Sequence, residues 1–125
     1  AINLQYDFTP QAQLYAFSVL NHKNVWAGGY FRSLSQYDGA TPAAAAVYPA
    51  GFLPIEESTL HDDNEVLGLR GSLIGWHYDL SANTGGNTWR LDTANTFNYS
   101  LGSASPTDFH VGTLDNRETL VNGCA

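Results

Sequence analysis

Four side chains of types that do chemistry fall close together in the second half of the chain: His77, Asp79, Arg90 and Asp92. A histidine beside a carboxylate can serve as a general base with its orienting partner. On an extended chain, His77 and Asp79 share a face about 7 Å apart. Arg90 and Asp92, placed on the adjoining strand, would complete a polar cluster suited to holding a ligand. The plainer outcome of the same residues is a solvated face of cross-strand charge pairs, each contributing about a few tenths of a kcal/mol.

The aromatic residues suggest a different chemistry. Trp26, Trp76 and Trp89 stand beside Gly- and Asn-rich stretches, with Tyr30, Tyr78 and Tyr99 near them in sequence. Such rings suit boundaries that are dry on one side and wet on the other. A sugar offers both faces: C–H surfaces for stacking, and hydroxyls for Asn, Asp and Arg. The competing role for each ring is core packing. A third cluster, Glu56, Glu57, Asp62, Asp63 and Glu65, crowds hard oxygen donors of the kind Ca²⁺ takes. Its spacing is not that of an EF-hand, because Val66 and Leu67 stand at the next ligand and glycine positions. Any cation bound there would tie down an acidic loop, and a plain solvated loop is the simpler expectation.

Other chemistry is missing from the sequence. It contains no phosphate-binding G-x-x-x-x-G-K-[ST], no G-x-G-x-x-G after a strand, no H-E-x-x-H and no G-x-S-x-G. The one lysine, Lys23, lies in a polar stretch. The one cysteine, Cys124, cannot form an intrachain disulfide; in an exported protein it could link two chains. Asn98-Tyr99-Ser100 is the one N-x-[ST] sequon, so Asn98 is a glycosylation candidate in a eukaryotic secretory setting.

Positioning these residues falls to strands. Ile2, Leu4, Tyr6 and Phe8 alternate with Asn3, Gln5 and Asp7, the period of a half-buried strand, and Thr9-Pro10-Gln11 ends it. Leu14–Leu20 reads as a second strand, turning at Asn21–Asn24 into Val25-Trp26. Gly28-Gly29 suggests a bulge or a close backbone approach, and Asp38-Gly39 a turn. Pro42 and Pro49 bracket four alanines that should form no more than one helical turn. Further on, Trp76, Tyr78 and Leu80 alternate with His77 and Asp79. Asn83–Asn87 supplies hairpin-loop residues, and strands follow at Trp89–Thr93, Phe97–Leu101 and Phe109–Thr113. The expected fold is therefore all-β: a single domain over 1–125, an antiparallel sandwich or small barrel of about eight short strands, with an irregular loop around 40–65. Asn24-Val25-Trp26 and Asn87-Thr88-Trp89 each open a strand after a turn, but the aromatics downstream fall out of step, so chance resemblance is a simpler reading than duplication of a four-strand unit.

The 125 residues carry 12 acidic against 5 basic side chains, a formal charge of −7, with only 14% charged and 13% aromatic residues. That balance opposes nucleic acid, whose binding needs clustered cations, and anionic lipid surfaces. It is also unlike a disordered chain. No run approaches the ~20 apolar residues of a spanning helix, so no membrane insertion is expected. Three classes fit the residues. The first is a non-enzymatic, lectin-like glycan-binding module using Trp26, Trp76, His77, Tyr78, Asp79, Trp89, Arg90 and Asp92. The second is a structural assembly subunit, such as a virion decoration protein or an extracellular filament protomer. The third is a small β-barrel hydrolase or isomerase using His/carboxylate pairs. The first two imply a secreted or virion protein that self-associates and meets glycans or neighbouring subunits.

Overall fold

The computed structural model describes residues 1–35 and 41–125. Five strands, β1 (Ile2–Thr9), β2 (Ala12–Gly28), β3 (Ile55–Leu73), β4 (Trp76–Ala94) and β5 (Phe109–Cys124), form one antiparallel sheet in chain order. The alternation predicts this all-β character. The strands are fewer and longer than expected, and the sheet is not closed. Asn21–Asn24 and Asn83–Asn87, expected as hairpin turns, lie inside β2 and β4. The acidic stretch Glu56–Glu65, expected within a loop, is the first half of β3. The expected turn at Asp38-Gly39 lies outside the described residues.

The chain divides into two compact units. The first comprises Ala1–His22, Leu60–Thr88 and Leu114–Ala125. Here β1 pairs with β2 in the register Ile2↔Ser18, Leu4↔Ala16 and Tyr6↔Leu14, with a shift between Asp7 and Thr9 where Pro10-Gln11 turns the chain. The β3–β4 turn is equally tight. Ile74 and Gly75 both have positive φ, 51° and 82°, as a two-residue hairpin turn of the right twist requires.

The second unit comprises Lys23–Thr59 and Trp89–Thr113. Its helix, α1 (Pro42–Val47), starts at Thr41, whose side chain accepts from the Ala44 amide, and has Pro42 in its first turn. It exceeds the single turn expected because Ala44 is buried with Phe52 and Phe97, against Tyr48 and Tyr99. The Tyr48 and Phe52 rings lie 4.6 Å apart, and burial raises the Tyr48 phenol above its ordinary pKa, with the Asp108 charge adding to the rise. Gly29 makes the close approach its position suggested, donating to the Pro54 carbonyl at 2.8 Å. In place of the strand expected at Phe97–Leu101, a short 3-10 stretch covers Tyr99–Ala104, with the Asn98 side chain accepting from the Ser100 amide.

Among the described residues the buried apolar side chains are Ala44, Phe52, Val66 and Phe97. Only Val66 belongs to the first unit. Its sheet is therefore a layer with two accessible faces. No helix among the described residues is long and apolar enough to cross a membrane, which says nothing of strands.

Candidate functional site

Successive side chains of a strand alternate between faces, and cross-strand bonds show which residues share one. On one face of the first unit, Asp62 of β3 accepts from Asn21 of β2 at 2.9 Å and from Asn87 of β4. Asn64 donates to Asn83 at 3.2 Å. Farther along the same face, the Tyr15 hydroxyl donates to Asp79 at 2.8 Å, and the Arg70 Nε donates to Gln13 at 2.8 Å. The Arg70 guanidinium also lies 5.3 Å from the Tyr15 ring centroid. Gln13 in turn donates to Asp7 at 2.7 Å. Hydrogen bonds from Asn21 and Asn87 hold the Asp62 carboxyl below its ordinary pKa. The bond to Asp79, and secondarily burial, raises the Tyr15 phenol. A concave site lined by Asp7, Gln13, Arg70, His77 and Asp79 lies at the turn end of this polar face.

The opposite face differs. Its bonds include His22 to His61 at 3.2 Å, Arg117 to Asp63 at 3.2 Å and Thr88 to Asp115 at 2.7 Å. Glu65 on β3 and Thr84 and Gly86 on β4 come next on this face. Beyond them, toward the Pro10-Gln11 and Ile74-Gly75 turns, the side chains of this face are uncharged and nearly all apolar: Leu14, Ala16, Ser18 and Leu20 on β2, Leu67, Leu69, Gly71 and Leu73 on β3, Trp76, Tyr78, Leu80 and Ala82 on β4. The β1 register adds Ile2, Leu4 and Tyr6, and the Phe8 ring joins them in edge contact with Tyr6 at 5.1 Å. On β5, Val121 has the parity of Arg117. Six rises of ~3.3 Å make the band roughly 20 Å tall along β1 to β4. Leu20 is 72% exposed, Trp76 70% and Val121 83%.

These positions decide what the sequence cluster can do. His77 and Asp79 lie on the polar face, and Asp79 is engaged by Tyr15. Trp76 and Tyr78 alternate with them on the other face. Arg90 and Asp92 are not on an adjoining strand: they belong to the far part of the same strand, in the second unit. There Arg90 donates to Asp92 at 2.6 and 3.2 Å, and Asp92 meets His110 at 2.7 Å. The Arg90 bond, then that of His110, lowers the Asp92 pKa, and Asp92 raises that of Arg90. The His–carboxylate pair is thus His110–Asp92. Thr113 is 3.4 Å from the other ring nitrogen of His110. The order Thr–His–Asp has the polarity of a nucleophile, base and orienter, but the His110 side chain is 49% exposed, beside bulk water. Trp89, also in the second unit, donates to Ser58 at 3.1 Å, while Trp26 is exposed.

The acidic residues of β3 do not converge, since alternation sends Asp62 to the polar face with the amides and Asp63 to the opposite face with Arg117. Among the described residues no group of three or more His, Cys, Asp or Glu is placed to hold a metal ion. Cys124 is an exposed free thiol ending β5. The uncharged band was legible in β1 but missed elsewhere, because taking Asn21–Asn24 and Asn83–Asn87 for turns breaks the alternation that defines it.

Comparison with known proteins finds no matching family model, curated protein or solved structure.

Proposed function

We propose that the first unit is wall material of a membrane-spanning β-barrel, the uncharged band of one face against lipid acyl chains and the amide-rich face lining an aqueous interior. The uncharged band carries this reading. Ile2, Leu4, Tyr6, Phe8, Leu20, Leu67, Leu73, Trp76, Leu80 and Val121 are all more than half exposed. Fully covering a large apolar side chain contributes about 1.5–3 kcal/mol, so covering what these residues still expose represents on the order of 10–20 kcal/mol, comparable to the whole stability of a typical domain, ~5–15 kcal/mol. A face of this kind requires cover. Lipid suits it because a spanning strand needs only ~9–11 residues, and β2, β3 and β4 have 17, 19 and 19. Short turns at one end and polar-in, apolar-out alternation are the pattern of such barrels. The sequence expectation of no membrane insertion rested on helix length, which does not govern strands. Closure would need further strands on β1 and β5, from other copies or other chain.

Single cysteines at 77 to 82 in a Cys124→Ser background, labelled with a spin probe in phospholipid vesicles, test the reading. Expected is oxygen accessibility at 78, 80 and 82 alternating with aqueous-reagent accessibility at 77, 79 and 81. Uniform aqueous accessibility, with the protein remaining monodisperse without detergent, would overturn it.

A second reading, glycan recognition, attaches to the polar face, where Asn21, Asp62, Asn87, Arg70 and Tyr15 supply the amide, carboxylate, guanidinium and phenol groups that hydroxyls would meet. A glycan array probed with and without Ca²⁺ separates the two: binding abolished by Arg70→Ala supports it, and an array at background removes it.

A further inference from the structure

The pair His22–His61 lies on the same face as the uncharged band, beyond its edge, on the neighbouring strands β2 and β3. The two Nδ1 atoms are 3.2 Å apart and the ring centroids 4.4 Å, with the planes inclined at 41°. Both residues are exposed. The strands are pinned beside them, because Asn21 and Asp62, the residues next to each histidine, bond on the other face at 2.9 Å. The imidazoles therefore start from a fixed separation.

That separation has a chemical meaning. A transition-metal ion sits ~2.0–2.1 Å from an imidazole nitrogen, so two nitrogens 3.2 Å apart subtend about 100° at a shared ion. This lies between the square and tetrahedral angles. In the metal-free pair, one Nδ1–H donates to the other Nδ1, and the ion would take the place of that proton. We propose that His22 and His61 form a two-histidine chelate for a divalent transition ion that favours imidazole, such as Zn²⁺, Ni²⁺ or Cu²⁺. Asp63, on the same face and lining the same recess, is held by Arg117 at 3.2 Å. Two protein ligands leave the remaining positions to water or to a donor from elsewhere, so the site is exchangeable rather than a folding staple. Carboxylate-preferring Ca²⁺ and Mg²⁺ are poorly served by two nitrogens.

The inference does not depend on where the uncharged band resides, and it is tested separately. The folded protein, cleared with a chelator, is titrated with Zn²⁺ and Ni²⁺ in competition with a chromophoric chelator. Expected is one ion per chain. His22→Ala and His61→Ala should each weaken binding at least about tenfold, the double variant should bind no better than either single one, and His77→Ala and His110→Ala should bind as the parent does. Cu²⁺ electron paramagnetic resonance on the parent should show two nitrogen donors, a readout that needs no variant to fold. Binding unaffected by either substitution, no binding at millimolar metal, or a Cu²⁺ spectrum without a second nitrogen would each overturn the proposal.

Discussion

Ile74 occupies the left-handed region at φ 51° while standing 91% exposed at the tip of the β3–β4 turn. A β-branched residue there costs about 1–2 kcal/mol that no buried contact returns. Asparagine tolerates the conformation, and Asn-Gly is the preferred pair for this turn. Ile74→Asn should therefore stabilise the fold by about 1 kcal/mol in chemical denaturation, and Ile74→Val should bring no gain. Asp62 makes a second prediction at this scale. Its carboxyl titrates below its ordinary value because Asn21 and Asn87 donate to the charged form. For a carboxyl whose folded pKa is depressed, the stabilising contribution is present above the unfolded pKa and is lost as pH falls through the folded one. NMR titration should place the Asp62 midpoint below 3.8, the ordinary value, and Asn87→Ala should move it upward. An unmoved midpoint would mean that the Asn87 bond does not hold the charge.

At the scale of the elements, Gly68 explains why β3 can carry the polar face so closely. A Cβ there would collide with the Tyr15 ring of the neighbouring strand, which itself donates to Asp79. Gly68→Ala should destabilise by about 1–3 kcal/mol, the range for overpacking, and the loss should shrink in a Tyr15→Ala background; additive losses would show that the two do not meet. The same closeness explains what the sequence conceals. The alternation of β1 is legible because its polar residues, Asn3, Gln5 and Asp7, are not turn formers in a cluster. In β4 the polar face is written in turn chemistry. Asn83 and Asn87 bond to Asn64 and Asp62 across the strands, while on the opposite face Gly86 lies where a Cβ would strike Asp63 and Arg117. Residues chosen for cross-strand bonding and close approach have the composition of a loop. The acidic run in β3 misleads likewise, its charges being divided between two faces. At the candidate site, His110 could not be paired with Asp92 from spacing, because that pairing depends on which strands neighbour each other.

For the molecule as a whole, the test is what covers the uncharged band. Leu4 and Gln5 are adjacent on β1, at nearly the same height and on opposite faces, so one substitution at each isolates the face. If lipid lies against Leu4, Leu4→Arg should cost about 2–4 kcal/mol of stability in vesicles, as an arginine near the bilayer midplane does, and Gln5→Arg should stay within about 1 kcal/mol. In water the sign is different: an exposed leucine replaced by arginine falls within about ±0.5 kcal/mol and improves solubility. A protein subunit as cover gives a third pattern, with Leu4→Arg dissociating an assembly that forms without any lipid. Urea unfolding of the two variants in vesicles and in buffer, with sedimentation alongside, distinguishes these outcomes. Equal stability of Leu4→Arg and Gln5→Arg in vesicles would place the band in water and leave the membrane reading without its foundation.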